Sequence, residues 1–282
     1  MKIDLHLHTA CSDGEQSVGQ VAEEAKKAGL SAIAYTDHNT FAITEDRQEG
    51  ELELIPGCEF SAIYQEKGMQ RREIHIVGLF FEGVPAGMQE MVASIDKLAY
   101  PKALIRKLND LGVAVTLQQI MEKYPDVGHI GRMHIARVLV EKGAARDTTE
   151  VFDKWIGNYS PHYFNPLDAV SYPTVEEVCR AVTACRGAIP ILAHPFHYGF
   201  SRKEIETMIA AFRACSHRPM GIEVFYGNYG EERTSWLLQM AEKYDLLVSA
   251  GSDRHRADHR FVLGDGLLLQ KMREAVCGGQ KI

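Results

Sequence analysis

The 282-residue sequence predicts an α/β protein, a distorted barrel of strands and helices that is interrupted by a helical insertion. Three observations favour this fold: short apolar, β-branched runs recur, amphipathic segments separate several of them, and one long stretch contains no convincing strand. Strands that alternate with helices are typical of parallel βα units, and many such units predict a TIM-like barrel. Because seven strands are one fewer than the (β/α)₈ pattern has, we expect a distorted (β/α)₇ barrel.

The individual elements follow from the apolar runs and from helical periodicity. The predicted strands are residues 3–8, 31–36, 52–55, 73–78, 188–193, 221–225 and 246–250. The helices between them are residues 18–28, 174–184, 203–214 and 231–244. Between residues 100 and 164 the pattern contains helices alone, at 102–111, 117–124, 133–142 and 149–155. We therefore predict a barrel domain of residues 1–99 and 165–282 and a helical cap domain of residues 100–164.

Composition excludes several classes of protein. The chain is 45% hydrophobic and 24% charged, which is typical of a globular protein with a full core. No apolar run approaches the roughly 18 to 20 residues that a membrane span needs. The first residues include Asp4, His6 and His8, where a secretory signal would be apolar. We therefore expect a cytoplasmic protein with no membrane partner.

Cysteine spacing and net charge restrict the partners further. The six cysteines form no Cys-x-x-Cys pair, so we expect reduced thiols rather than a zinc knuckle. The formal net charge is -7, whereas binding to long duplex nucleic acid usually needs a basic face, so we predict no duplex partner. The negative net charge does not exclude a small anionic substrate, because bound divalent cations reverse the local field of a site.

Histidine and carboxylate side chains recur at or near the ends of different predicted strands. His6 and His8 are two residues apart on the first strand, so both imidazoles face the same side. In a parallel barrel the carboxyl ends of the strands meet at one mouth, where such enzymes keep their chemistry. Imidazole and carboxylate together suit Mn²⁺, Fe²⁺ or Zn²⁺. The candidate ligands are His6, His8, Asp13, His38, Glu59, His75, His194, Asp253 and His255.

No single member of this set identifies a metal site. A lone His-x-His pair on a strand is more often structural, and so is an isolated Ala-His-Pro segment. Repetition is harder to explain by chance, because six histidines and three carboxylates lie at or near the ends of different strands. The whole set therefore predicts a metal centre.

Four segments of the chain resemble the motifs of the PHP (polymerase and histidinol phosphatase) family, in the family's order. They are Asp-Leu-His-Leu-His-Thr followed by Ser-Asp-Gly at 4–14, Thr-Asp-His-Asn at 36–39, Ala-His-Pro at 193–195 and Gly-Ser-Asp-Arg-His at 251–255. Glu59 and His75 match the family's two intervening ligands. The resemblance covers both barrel halves and implies the PHP fold with a trinuclear site, for which Mn²⁺ is the first expectation.

The resemblance also implies which side chains share an ion and take part in catalysis. Glu59 would bridge two of the three ions. The implied groups are His6, His8, Glu59 and Asp253 for the first ion, Glu59, His75 and His194 for the second, and Asp13, His38 and His255 for the third.

Residues 131–137, Gly-Arg-Met-His-Ile-Ala-Arg, resemble a segment in stand-alone bacterial PHP proteins of the TrpH type. Met133 departs from the Pro that often stands there. This subgroup includes 3′,5′-nucleotide bisphosphate phosphatases and 5′→3′ exoribonucleases that act on short RNA. Arg132 and His134 would lie in the first turn of a helix, where backbone N–H groups and a guanidinium favour phosphate. We predict that both bind substrate and that Arg137 makes a structural ion pair.

Further polar and aromatic side chains are candidates at the barrel mouth. We predict that His197 contacts the substrate, since it closely follows His194. Tyr226 and Asn228 follow the strand at 221–225 on the same side. A run of aromatic residues could supply one platform for a base, while at least two of its members pack under the cap. This run consists of Tyr159, Tyr163 and Phe164.

The candidate metal ligands and the family resemblance together predict metal-assisted hydrolysis of a phosphomonoester. The favoured hypothesis is a phosphatase that removes the 3′-phosphate of a nucleoside 3′,5′-bisphosphate. The alternatives are a 5′→3′ exoribonuclease on short single-stranded RNA, a histidinol-phosphate-type phosphatase, and a PHP module that binds metal without catalysis. The general acid stays open between His197, Asp37 and a coordinated water.

Overall fold

The structure, a computed structural model, describes residues 1–69, 71–125, 130–227, 229–262 and 264–278. In this part of the chain the strands form one sheet that curves into a nearly closed barrel, as predicted. They are β1 (Lys2–Leu7), β2 (Ala32–Tyr35), β3 (Arg47–Glu49), β4 (Leu52–Tyr64), β5 (Arg72–Phe80), β6 (Ala188–Leu192), β7 (Gly221–Tyr226), β8 (Leu247–Gly251) and β9 (Gly264–Asp265). The order across the sheet is β8-β7-β6-β5-β4-β2-β1-β9, and β3 pairs with β4.

Backbone hydrogen bonds just beyond β8 bring the two ends of the sheet together. The amide of Asp253 donates to the carbonyl of His6 at 2.9 Å, and the amide of His8 donates to the carbonyl of Arg254 at 3.0 Å. The first and last predicted metal motifs therefore form the seam of the barrel.

The centre of the sheet differs from the predicted all-parallel pattern. β4 pairs antiparallel with β5, and β5 pairs antiparallel with β6. Only residues 65–71 join β4 to β5, whereas a parallel crossover needs a dozen residues or more. The predicted strand at 52–55 is also too short, because β4 continues to Tyr64. Glu59 therefore lies inside a strand and not near its end.

Helices cover the barrel and fill the stretch between β5 and β6. They are α1 (Val18–Lys27), α2 (Ala86–Ala93), α3 (Ala99–Asp110), α4 (Leu117–Lys123), α5 (Arg132–Glu141), α6 (Thr148–Val151), α7 (Val175–Ala184), α8 (Arg202–Ala214), α9 (Glu231–Lys243) and α10 (Gly266–Gly278). Within the stretch between β5 and β6, α3–α6 are called the insertion below. A π-helical turn, Phe152–Ile156, continues α6. None of the described helices is long and apolar enough to cross a membrane.

Several of these helices begin where local sequence offers a cap. In each, a Ser or Thr side chain accepts the backbone N–H three residues on, and a Gln or Glu there bonds back to the cap backbone. This capping box satisfies amides that would otherwise lack a partner. The pairs are Ser17 and Gln20, Thr116 and Gln119, Thr174 and Glu177, and Ser201 and Glu204.

The insertion has its own apolar core, which includes Leu104, Ile120, Ile135 and Leu139 among its most buried side chains. A different cluster, with side chains from β1, β2, β4, β5 and β6 together with α10, fills part of the barrel. Arg137 of α5 forms the predicted ion pair, with Glu15 of the β1–α1 loop. The insertion therefore rests directly on the loop that follows the first metal motif.

Candidate metal centre

The nine candidate ligands meet in one cluster at the barrel mouth. The Nε2 atoms of His6 and His8 are 3.2 Å apart, as their spacing on one strand face predicts. His8 Nε2 lies 3.1 Å from Asp253 Oδ1, and His255 Nε2 lies 3.1 Å from Asp13 Oδ1. These contacts join residues from opposite ends of the chain.

Glu59 lies at the centre of this cluster. Its Oε1 atom is 2.7 Å from His194 Nε2 and 2.9 Å from His75 Nδ1. Its Oε2 atom is 3.0 Å from His38 Nδ1 and 3.2 Å from His8 Nε2. The antiparallel β4–β5 hairpin produces this arrangement, because it places Glu59 diagonally across from His75 on the same face.

Three groups of these side chains have ligand atoms close enough to hold a metal ion. They are His6, His8, Glu59 and Asp253; His8, Asp13, His38 and His255; and His38, Glu59 and His75. The first two contain the ligand sets that the family resemblance implies for the first and third ions. In the remaining group His38 takes the place expected for His194, although His194 also contacts Glu59. Both histidines are therefore within reach of a second ion.

The backbone that carries the ligands adopts conformations that are sparsely populated by residues other than glycine. Asn39, His194 and Asp253 have φ values of 46°, 24° and 53°. They lie just after β2, β6 and β8 respectively. Strained backbone of this kind persists where surrounding contacts determine it, and it clusters at functional sites.

Two further side chains orient the candidate ligands: Glu223, which the sequence does not single out, and Tyr226, which it places at the barrel mouth. Glu223 Oε1 lies 3.1 Å from His6 Nδ1, and its Oε2 accepts the amide of His194 at 2.8 Å. Tyr226 donates its hydroxyl hydrogen to Asp253 at 2.9 Å. A carboxylate inside the apolar run at 221–225 is a signal that could have identified Glu223, since burial of an unpaired charge is costly.

Asp37, an open candidate for the general acid, instead organises the loop that carries Asp13. Its carboxylate accepts hydrogen bonds from both the amide and the hydroxyl of Thr9 and of Ser12, the shortest at 2.6 Å. The side chain is fully buried and is not among the cleft-lining residues that the structure describes. Asp37 therefore acts as a positioning residue.

Arg254 holds the last motif, residues 251–255, in place through contacts with α1 and with the residues on either side of the barrel seam. Its side chain is 2% exposed and donates to Gln16 Oε1 at 2.6 Å and to the carbonyl of His259 at 2.9 Å. It also pairs with Glu24 of α1 and stacks over Phe261. These contacts place the two neighbouring ligands, at positions 253 and 255, against the end of β1.

Opposite charges within the cluster keep its carboxylates ionised. Burial opposes protonation of His75 and His255, but the adjacent Glu59 and Asp13 carboxylates raise the pKa of each imidazole to about 10. Burial would raise the pKa of Glu59, yet the charges of His75 and His6 hold it well below its usual range. The carboxylates thus stay charged and attract whatever cation can reach them.

The donor set fits divalent metal. Glu59 Oε2, Asp253 Oδ1 and His194 Nδ1 are buried and make no well-directed hydrogen bond to a described residue, although imidazole nitrogens lie 3.0 Å from Glu59 Oε2 and 3.1 Å from Asp253 Oδ1. Buried carboxylates are costly unless cationic groups compensate them, and a metal ion can take that place. Imidazole nitrogens and carboxylates at this density are the ligands that Mn²⁺, Fe²⁺ and Zn²⁺ accept.

A cleft of about 440 Å³ opens between the barrel mouth and the insertion. The candidate ligands His38, His75, His194 and Asp253 form one part of its lining. The remaining wall is polar and comes from the insertion, from β5 and from the loop after β6. It consists of Arg72, Glu73, Arg132, Asn158, Tyr159, Tyr163, Asn165, Pro166, His197, Tyr198 and Gly199.

The predicted substrate-binding residues occupy different positions relative to this cleft. Arg132 and His197 both line it. Arg132 donates to Asn158 Oδ1 at 2.6 Å and to the carbonyl of Ile156 at 3.2 Å, which fixes its guanidinium at the wall. His134 is 2% exposed, and its Nδ1 accepts the amide of Gly131 at 3.1 Å, so it caps α5.

The aromatic candidates also separate by position. Tyr159 is 96% exposed at the edge of the cleft, and Tyr163 lines the cleft while half-buried. Phe164 instead stacks on Tyr100, at the core of the insertion. Asn228 lies outside the residues that the structure describes.

Comparison with known proteins agrees with this fold. The model of the PHP domain matches residues 4–162, more than half of the chain. The chain therefore belongs to the PHP-domain family, as its motifs indicate. A solved structure from Chromobacterium violaceum, described as an amidohydrolase with bound sulfate and no metal, superposes with a TM-score of 0.78 and 25% identity. The match covers 94% of this chain and 92% of that chain.

Two relatives share most of the chain's length. The 5′-3′ exoribonuclease Rnm of Escherichia coli K12 is 29% identical, and the match covers 97% of this chain and 92% of the relative. A 3′,5′-nucleoside bisphosphate phosphatase of Chromobacterium violaceum is 28% identical, covering 90% and 87% respectively. Both names describe hydrolysis of phosphoesters. The protein is a PHP-family phosphoesterase with side-chain clusters that can bind metal.

Proposed function

We propose that this protein removes the 3′-phosphate of nucleoside 3′,5′-bisphosphates and leaves the 5′-monophosphate. The observation that carries the proposal is the cleft itself, which Arg132 lines together with four of the candidate ligands. A substrate with two phosphates on one ribose has one phosphate for the candidate ligands and one for Arg132. The relative from Chromobacterium violaceum carries the same activity in its name.

We further propose that the nine side chains hold three divalent ions, with Mn²⁺ as the first candidate and Fe²⁺ or Zn²⁺ as alternatives. When bound, such ions lower the pKa of water and neutralise charge on the phosphate. The protein's own groups keep the ligands in place, with Glu223 orienting His6 and Tyr226 orienting Asp253.

Arg132 supports binding of the phosphate that does not react. Its guanidinium is held by Asn158 and Ile156 and packs over the Phe152 ring. A fixed guanidinium loses little freedom when it binds an anion, so the remote phosphate helps to orient the reacting one. His134 would contribute indirectly, by capping the helix that carries Arg132. His197 and Tyr159 would contact the nucleoside from the cleft rim.

A second candidate function is 5′→3′ cleavage of short 5′-phosphorylated RNA. The match to the Escherichia coli exoribonuclease, which covers 97% of this chain, favours this function. The chemistry is related, because the attacked phosphorus is bonded to a 3′-oxygen in both substrates. The two functions differ in the group that lies beyond that phosphorus, a free oxygen or the next nucleotide.

A comparison of four substrates under one Mn²⁺ concentration tests the proposal. We expect kcat/KM for adenosine 3′,5′-bisphosphate to exceed that for adenosine 3′-monophosphate, with adenosine 5′-monophosphate as product. Adenosine 5′-monophosphate itself should react slowly. Equal rates on the bisphosphate and the 3′-monophosphate would contradict a two-anchor site. A 5′-phosphorylated dinucleotide cut faster than the bisphosphate would favour the exoribonuclease.

A further inference from the structure

Arg72 is a second cation in the cleft wall, and neither the motifs nor the ligand cluster account for it. It is the first residue of β5 and lies three residues before the ligand His75. The side chain is partly buried and lines the same cleft as Arg132. It comes from the barrel, whereas Arg132 comes from the insertion, so the two cations approach the cleft from different parts of the fold.

One donor of the Arg72 guanidinium lacks an acceptor: its Nε atom is buried and has no hydrogen-bond partner among the described residues. No ion pair within 4.0 Å joins Arg72 to a described carboxylate, whereas Arg137, Arg202, Arg254 and others form one. Hydrogen bonds from Ser201 lower the pKa of the Glu204 carboxyl, and the charge of Arg72 adds to this only from a longer distance. A buried guanidinium N–H without an acceptor is costly, and a phosphate in the cleft would supply that acceptor.

Arg132 cannot provide the whole of such a site by itself. Part of its donor capacity is used by the contacts to Asn158 and Ile156 that hold it in place. A phosphate dianion has three terminal oxygens and is best bound by several donors that approach from different directions. Arg72 offers a second guanidinium from the barrel side of the same cleft.

We propose that Arg72 and Arg132 together form the pocket for the non-reacting 5′-phosphate, and that Arg72 sets the preference for substrates with two phosphates. This inference rests on the proposed function of the cleft. Arg72 is a specificity-determining residue in this scheme, because it contacts the remote phosphate and not the reacting one. The kcat/KM for substrates without a 5′-phosphate should therefore not depend on Arg72.

The first test compares Arg72→Ala with wild type in kcat/KM for adenosine 3′,5′-bisphosphate and adenosine 3′-monophosphate. We expect at least a tenfold loss for the bisphosphate and a change of less than about twofold for the monophosphate, since one charge-assisted contact is lost. Arg72→Lys should retain part of the preference, because it keeps the charge without the planar fork. Equal losses on both substrates, or no loss on either, would overturn the proposal.

The neighbouring Arg71 offers a matched control. It is exposed and is not among the residues that line the cleft. Arg71→Ala removes the same charge from the position just before β5, and we expect it to leave both kcat/KM values unchanged. If Arg71→Ala reproduces the effect of Arg72→Ala, the effect is one of net charge, and the proposed pocket is wrong.

A binding measurement separates this inference from the proposed function. Calorimetric titration of the Mn²⁺-supplemented protein with adenosine 5′-monophosphate should give a Kd at least tenfold higher for Arg72→Ala than for wild type. An unchanged Kd would overturn the role of Arg72 even if the bisphosphate is the substrate. An increased Kd in a protein that does not hydrolyse the bisphosphate would keep the phosphate pocket and reject the proposed reaction.

Discussion

At the scale of single residues, Glu59 has the most contacts with the other candidate ligands. It is fully buried, and its two oxygens lie within 3.4 Å of five histidine rings. The nearest imidazole, that of His194, lies in the loop after β6, and the next, that of His75, lies on β5. A change at this position therefore affects more than one ligand group.

We expect Glu59→Gln to lower the number of tightly bound divalent ions and to abolish most activity. The substitution removes one negative charge and replaces one ligand oxygen with an NH₂ group that cannot coordinate. Elemental analysis and phosphate release would measure both effects. Glu51→Gln, at an exposed position just before β4, is the control and should keep the metal content of wild type. Full occupancy in Glu59→Gln would contradict the central role of Glu59.

Arg132→Ala tests the insertion side of the cleft. Loss of a charge-assisted contact to phosphate should cost ~1.5–3 kcal/mol, or roughly ten- to a hundredfold in kcat/KM for the bisphosphate. Metal content should stay unchanged, because the contacts that hold the side chain are to Asn158, Ile156 and Phe152, which are not candidate ligands. Kinetics like those of wild type would show that this residue does not bind the substrate.

Single residues also show what could be learned from the sequence. The sequence predicts all nine candidate ligands, because spaced histidines and carboxylates recur in the order of residues, and the structure brings the nine side chains together. The roles of Glu223 and Arg254 are not visible in the sequence, since their partners are distant along the chain. Their partners become neighbours only when the barrel closes.

At the scale of elements, β8 approaches β1 so closely that only glycine fits at position 251. A Cβ atom there would lie 2.3 Å from Glu223 Oε1 and 2.3 Å from the Cβ atom of His6. Both neighbours are buried and contact each other, so neither can move without disturbing the cluster. This glycine sets the distance between the strands that carry the first and last motifs.

We therefore expect Gly251→Ala to lower both metal content and stability. Overpacking of this kind costs about 1–3 kcal/mol, which should lower Tm by several degrees in a chain of this size. Thermal unfolding and elemental analysis would measure the two effects. Gly19→Ala is the control, because nothing lies within 4 Å of a Cβ atom at this exposed helical position. A Gly251→Ala protein as stable and metal-rich as wild type would show that the seam can relax.

The elements were predicted well where periodicity is simple and less well at β4. The barrel strands and the helices of the insertion lie close to their predicted positions. Pro56, Gly57 and Glu59 interrupt the apolar pattern of β4, so its second half does not resemble a strand. The direction of β5 depends on the length of a hairpin connection, which the apolar pattern does not define.

At the scale of the whole molecule, metal binding should depend on pH. The carboxylates raise the pKa values of His75 and His255 to about 10, so these imidazoles are protonated near neutral pH when no metal is present. A metal ion must displace those protons, and the displacement becomes easier as pH rises. We expect the apparent affinity for Mn²⁺ to increase between about pH 6 and pH 9, with protons released on binding.

Titrations in buffers of different ionisation enthalpy would measure both the affinity and the proton release. Bound metal should also raise Tm, by mass action, and a chelator should reverse the increase. An Mn²⁺ affinity that is independent of pH would contradict the electrostatic account of the cluster. A second titration with Mg²⁺, which prefers oxygen ligands, should show weaker binding.

The seam between β1 and β8 has a consequence for the synthesis of the chain. The ligands at positions 6 and 255 are separated by most of the polypeptide, and translation adds roughly 5–20 residues each second. The first motif therefore leaves the ribosome roughly 10 to 50 seconds before the last one exists. During that interval β1 has an edge without its final neighbour, and its two histidines are exposed to any ion in the medium. A site that uses candidate ligands from both motifs can therefore be completed only after residue 255 has been synthesised.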